Sequence, residues 1–345
     1  MTVLLRRILP VAALVIAACS PTTTAGAPTA TSTPSATPRV LEPVVFMAGF
    51  KAQANLPFVA VYVAQEKGYF RDEGLAVEIQ HSAGQGEHVR LLGTGRVHFS
   101  TGSAPDILKR VATAGVPLVA VAQIGQKGEQ AFAVRADSPI RTPKDWEGRI
   151  VGFKGTVSAD YLAILRAAGV DRSKISEVAV GFDPRVLIDG RVDVYPVFES
   201  NEPDTLQRLG VPVRLFHPAE FAIPSLGLAL MTSRDLADQK PDLVGRFVRA
   251  ALRGLDEAVR DPAAAIAITL TYAKGEDPEH QRYMLDAEIA AAQNELTRSQ
   301  GLGAISRQSW KELHDLLLGL EVLPKEVVLD QVIDDRFVRD ARAAR

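Results

Sequence analysis

The stretch Pro43 to Ile79, PVVFMAGFKAQANLPFVAVYVAQEKGYFRDEGLAVEI, limits the fold more than any other part of the chain. Val44, Val45, Phe46 and Met47 form an unbroken apolar run between Pro43 and Gly49, the pattern of a strand buried on both faces. Polar residues from Lys51 to Asn55 follow at the strand's carboxyl end. Asn55 is placed to cap a helix whose first turn accepts Pro57, because the N–H that proline lacks would be unpaired there. Val59, Val63 and Gln65-Glu66-Lys67 carry that helix to Gly68, Tyr69-Phe70 pack the turn, and Ala76 to Ile79 open a second strand. Strand, loop, helix and parallel strand make a βαβ unit. Sheets of this kind take ligands at the carboxyl ends of their strands. Loop 50–58 is therefore the first candidate contact, with Phe50, Gln53, Asn55 and Phe58 as its chemistry-bearing residues.

A chain of 345 residues exceeds one ordinary core and suits two lobes. Its net charge of −2 gives no reason to expect nucleic acid as a partner. The six histidines, His81, His88, His98, His217, His280 and His314, lack HExxH-type spacing, and one cysteine builds neither a zinc cluster nor a disulfide framework. No metal and no cofactor are expected.

The amino terminus speaks of location. Arg6-Arg7 precede a short apolar region from Ile8 to Ala18, too short to cross about 30 Å of hydrocarbon, so residues 1–18 read as a signal peptide. Ile16-Ala17-Ala18-Cys19 resembles a bacterial lipobox, which would make Cys19 a lipidated first mature residue; an ordinary secretory signal that contains a cysteine is the alternative. Stable anchoring takes more than one acyl chain. Ser20 to Pro38, nearly all Thr, Pro, Ser, Ala and Gly, cannot bury a core and reads as a tether within 19–41, reaching about 60 Å when extended at roughly 3 Å per residue. The expected place is the outer face of the cell membrane, held by lipid.

Beyond Ile79, Gly84-x-Gly86 matches half of a dinucleotide fingerprint, but Val89 stands at the third glycine position, and a tight strand-to-helix turn is the better reading. Val97 to Ser103 form a strand, and Ser103 caps a helix from Ala104 to Ala114; Thr101 and Ser103 either face a ligand or serve the turn alone. Gly102-Ser103-Ala104 lacks the GxSxG form of a nucleophile elbow. Val116 to Gln123 make a strand ending in Gln123, and Ala131 to Val134 begin the crossing to a second lobe. Lys154 falls between strand Ile150 to Phe153 and helix Ala159 to Ala168, a position suited to an anionic or carbonyl oxygen, or to a solvated turn. Strand Val192 to Phe198, with Tyr195, gives way to Glu199, Asn201 and Glu202, which face a ligand or cap a helix. Two carboxylates here lack the nucleophile or metal that catalysis would need. Ile223-Pro224 return the chain to the first lobe. From Lys240 the pattern is helical, with Phe247, Ala251 and Leu255 on one face, read as a buttress for the first lobe.

The string YVAQEKGYFRDEGLAVEI, together with SPIRTPKDWEGRIVGFKG, resembles bacterial solute-binding proteins of the thiamine-pyrimidine, nitrate and sulfonate superfamily, receptors of ABC importers. The resemblance implies an α/β, periplasmic-binding-protein-like fold of type II: two lobes, each a mostly parallel sheet flanked by helices, joined by a two-strand hinge. It places lobe 1 at 42–134 and 225–345 and lobe 2 at 135–224. It also implies a polar turn at Glu202-Pro203 beside the ligand, a permease and an ATPase as partners, and a monomer with no catalytic residue. Fungal thiamine-pyrimidine synthases share the fold but use a cysteine-rich motif that this chain lacks. Phe50, Phe58, Tyr195 and Phe198 favour a flat ring, and Gln53, Asn55, Gln123 and Asn201 offer amide edges to it. The branch most resembled is the riboflavin-binding receptors. Formylaminopyrimidine-type thiamine precursors are the alternative, although such relatives often carry a histidine where Phe58 stands, and alkylsulfonates would want arginines that these loops do not have.

Overall fold

The computed structural model describes residues 40–84 and 86–344; Cys19 and the tether lie outside them. Ten strands are described: β1 Glu42–Ala48, β2 Leu75–His81, β3 Phe99–Ser103, β4 Leu118–Gln123, β5 Gln130–Arg135, β6 Ile150–Lys154, β7 Ser176–Val180, β8 Tyr195–Phe198, β9 Val213–Phe216 and β10 Leu228–Ser233. They form two sheets of one design. In the first, ordered β2-β1-β3-β10-β4, β1 runs parallel to β2 and β3, while β10 is antiparallel to β3 and β4. In the second, β5 is antiparallel to β8 and β9. The parallel pair β6–β7 joins β8 through the bridge Val151–Val194, extending the order to β7-β6-β8-β5-β9. Each sheet thus has four strands in one direction and one reversed.

The reversed strands are the ones the chain enters on crossing between sheets, and this decides where the strand tips point. The chain leaves β4 at its carboxyl end and enters β5, whose first residue Gln130 pairs with Phe198 at the carboxyl end of β8. It leaves β9 at Phe216 and enters β10, whose Leu228 pairs with Ser103 at the carboxyl end of β3. Both crossings run from carboxyl edge to carboxyl edge, so the carboxyl edges of the two sheets, the kind of edge at which open α/β sheets take ligands, meet at the crossings. There the backbones touch. The Gly227 N–H donates to the Gly125 carbonyl at 3.0 Å, and a Cβ on Gly227 would stand 2.8 Å from the Lys127 carbonyl oxygen. Only glycine fits.

The hydrophobic interiors are separate. A large core takes side chains from the first sheet and from the carboxyl-terminal helices, and two smaller clusters lie about the second sheet. Helix Pro241–Arg260 is the main buttress: its Phe247 stacks on Phe99 with centroids 3.8 Å apart and also lies against Phe46 and Phe70. The same helix crosses helix Leu56–Glu66 at Gly254, where a Cβ would meet the Ala60 carbonyl oxygen at 2.0 Å. The periodicity read from Lys240 onward therefore has its packing partner. Among the described residues no helix is long and apolar enough to cross a membrane.

Candidate functional site

Four of the strands bring a side chain to the shared edge: Phe50 after β1, Lys154 at the end of β6, Phe182 after β7 and Phe198 at the end of β8. The Phe50 and Phe182 rings lie 5.7 Å apart, joining the tips of the two sheets directly. Phe182 is 58% exposed and Phe198 41%, in a protein whose large apolar side chains are otherwise mostly covered. Between them stands Lys154, whose ammonium lies 5.0 Å from the Tyr195 ring centroid, 5.0 Å from Phe198 and 5.2 Å from Phe182. Its carboxylate partner is Glu202, whose other oxygen accepts the Phe198 N–H at 2.7 Å. Burial pulls the Lys154 ammonium below the ordinary lysine range, and Glu202 opposes that shift.

The expected tip residues divide sharply when placed. Phe50, Lys154, Tyr195 and Glu202 converge on this aromatic cluster, although the Tyr195 hydroxyl is occupied by the Gly181 carbonyl at 2.9 Å. Phe58 does not converge: it is 2% exposed and packs inside the large core, because its place on helix Leu56–Glu66 turns it toward the sheet rather than toward the edge. Thr101 accepts the Gly49 N–H at 3.2 Å and Ser103 caps its helix through the Asp106 N–H at 3.3 Å, the local roles left open above. Gln123 donates from its side-chain nitrogen to the hinge carbonyls of Gly125 and Gly227 at 2.8 and 3.1 Å, while its side-chain oxygen is buried without a hydrogen-bond partner among the described residues. Phe182 was not expected, since Gly181-Phe182-Asp183-Pro184 reads as a plain turn.

The carboxyl-terminal helices, read above as buttress alone, reach the site through helix Pro278–Ala292. Its Gln281 accepts the Ala54 N–H at 2.7 Å, and its Glu288 accepts both the Asn55 side-chain amide and the Leu56 N–H. Asn55 holds the N-cap position but makes no capping bond with its own side chain. The cap is Glu288, from far along the chain. Gln53 in turn donates to Asn55. The same helix holds the second lobe's loop: the Tyr283 hydroxyl donates to the Glu199 carbonyl at 3.0 Å, while His280 lies 3.0 Å from the Asn201 side-chain oxygen and 2.7 Å from Asp204. One helix is therefore a platform for both loops. Gln281 and Glu288, seven apart, share one face, and buried polar residues at that spacing were the signal in the sequence.

Beneath this lies a group of acids. Glu199 pairs with His217 at 2.8 Å and Lys127 at 3.2 Å. The Ser200 hydroxyl donates to Glu129 at 2.8 Å, yet burial, with Glu199 nearby, pushes the Glu129 carboxyl up to about 7. Burial, and then Glu129, holds Glu288 well above the usual carboxylate range. Two surface cavities lie apart from the ring cluster. One of about 530 Å³ is lined by Gly84, Arg90 and Arg110, and one of about 620 Å³ by Arg141, Arg214 and Phe221; the first adjoins the cluster only where Gly84 meets the Phe50 ring.

The model of the family described as NMT1/THI5 like matches residues 55–265. A riboflavin-binding protein, RibY, of Chloroflexus aurantiacus is 30% identical over 338 residues, covering 94% of this chain and 95% of the relative. A formylaminopyrimidine-binding protein of Halalkalibacterium halodurans is 24% identical, covering 80% and 85%. Among solved structures, the periplasmic aliphatic sulphonate binding protein SsuA of Escherichia coli superposes with a TM-score of 0.67 at 16% identity, covering 85% of this chain and 92% of its own.

Proposed function

Because the chain belongs to the NMT1/THI5-like family, in which it is a solute-binding protein, we propose that it captures riboflavin outside the cytoplasm and delivers it to an ABC permease. The observation that carries the ligand is the aromatic junction: Phe50 from one sheet against Phe182 from the other, with the Lys154 ammonium about 5 Å from both Phe182 and Phe198. The two rings now touch each other, so a planar solute stacks on them once the lobes part, gaining about 0.5–1.5 kcal/mol per stacked pair beyond its burial. A heterocycle with carbonyl oxygens on its edge also finds a charged donor in Lys154, and charge-assisted hydrogen bonds are the stronger kind. The relative named for riboflavin is also the more similar of the two reported above.

The two lobes work as a clamp. Contacts that exist only when both loops close on the solute shift the hinge equilibrium toward the closed form. The closed form is what a permease docks, and an ATPase supplies the energy of release; the receptor itself performs no chemistry and acts as a monomer. The runner-up ligand is a formylaminopyrimidine, a smaller ring that would fill less of the junction. Titration of the purified protein with riboflavin, following the quenching of flavin fluorescence, tests the ligand: quenching that saturates at one equivalent is expected. Displacement of a bound formylaminopyrimidine by no amount of riboflavin would reverse the assignment.

The membrane attachment is part of the same proposal. Cys19 carries the lipid, and Cys19→Ser is expected to move the protein from the membrane fraction to the soluble one. Retention of that variant on membranes would remove the anchor from the model.

A further inference from the structure

Three aromatic rings about one ammonium are the arrangement by which proteins recognise cationic ligands, since each ring presents the negative face of its quadrupole. Here the occupant is the protein's own. Lys154 has a side chain only 8% exposed and puts its ammonium about 5 Å from the centroids of Phe182, Tyr195 and Phe198. Glu202, 3% exposed, accepts its one hydrogen bond among the described residues, and the three rings lie about the same ammonium. The best seat for a cation beside Phe182 is thus filled, and filled by a charge of the same sign. A ring stacking on Phe182 meets a positive end, which favours carbonyl or anionic edges and repels a fixed positive charge.

We infer that Lys154 is the specificity residue of the site, an internal cation that reserves the aromatic box for neutral or anionic flat rings and turns cationic rings away. This deepens the receptor reading above and rests on it. Removing the charge should open the box, and leaving Glu202 behind without its partner should make the box attractive to cations. The order of cation affinities is then Lys154→Met above Lys154→Met/Glu202→Gln, and both above wild type. A merely structural role for the pair would not produce that order.

The test compares two tricyclic dyes of similar size, neutral riboflavin and cationic acriflavine, by fluorescence titration of the full-length protein. Wild type should bind riboflavin and reject acriflavine. In the double variant, whose glutamine still offers an oxygen to the Phe198 N–H, acriflavine binding should tighten by about tenfold or more and riboflavin binding should weaken. The double variant also guards against misfolding caused by a buried unpaired carboxylate in Lys154→Met, and circular dichroism confirms that it folds. An unchanged ratio of the two affinities in the folded double variant overturns the assignment of Lys154 while leaving the receptor intact. A wild-type protein that binds acriflavine as tightly as riboflavin overturns it too. A wild type that binds no neutral flat ring at all overturns the receptor reading, and this one with it.

Discussion

Phe182 does more for the candidate site than its sequence neighbourhood suggests. It sits in a turn, 58% exposed, with nothing in its spacing to distinguish it, and only the docking of the second sheet against the first brings it to Phe50. An exposed ring contributes little to folding, so Phe182→Ala is expected to leave the melting temperature unchanged while weakening riboflavin binding by roughly two- to tenfold, the value of one lost stack. Loss of stability without loss of affinity would mean that the ring is structural. Glu129 offers a second single-residue test. Its folded pKa, about 7, lies above the ordinary value of 4.5, so its favourable contribution is complete below 4.5 and is lost as pH rises through 7. Glu129→Gln cannot ionise and can still accept from Ser200. It should match wild type near pH 4 and exceed it in stability by on the order of 3 kcal/mol at about pH 8, read from urea unfolding at both values. Equal stabilities at the higher pH would contradict the buried-acid picture.

Helix Pro278–Ala292 shows how an element can be recognised correctly and still be undervalued. Its apolar periodicity identifies it as a helix against the first core, which the structure bears out through Met284 and Leu285. Its polar residues were the part with a role at the site: Gln281 and Glu288 fix loop 53–56, and His280 and Tyr283 fix loop 199–204. Helical crossing elsewhere is equally exacting. Helices Leu56–Glu66 and Pro241–Arg260 touch at Gly254, where backbone carbonyl oxygen leaves no room for a methyl group. Gly254→Ala would improve helix propensity by about 1 kcal/mol in isolation. Overpacking should win, with a net loss of about 2–3 kcal/mol in urea unfolding. A variant as stable as wild type would show that the two helices separate freely.

The molecule as a whole is organised by two strand reversals. Because β5 and β10 run against their sheets, both crossings join carboxyl edges, and the tips of eight other strands are aimed at or beside one hinge. Across it the platform helix latches the second lobe through Tyr283 and His280. Removing that latch should favour the open form. Small-angle scattering of the ligand-free Tyr283→Phe/His280→Ala protein is expected to give a larger radius of gyration than wild type, with riboflavin restoring compaction. Identical radii before ligand would deny the latch any part in closure.

What could be read from the sequence alone was whatever depends on near neighbours. The βαβ opening, the Ser103 cap, the helical pattern from Lys240 and the strand ahead of Lys154 follow from apolar spacing and from the backbone preferences of glycine, proline and serine, which act over a few residues. The family resemblance added the order of the lobes and the idea that polar strand tips face a solute. Tertiary structure alone decided the partners. Asn55 meets Glu288 across 233 residues, Phe182 rather than Phe58 lies against Phe50, and the Gln123 side-chain nitrogen finds the hinge carbonyl of Gly227. Local patterns say which way a side chain points relative to its own helix or strand; which distant surface it then meets is settled by how two sheets and a helix pack, and that information is spread over the whole chain.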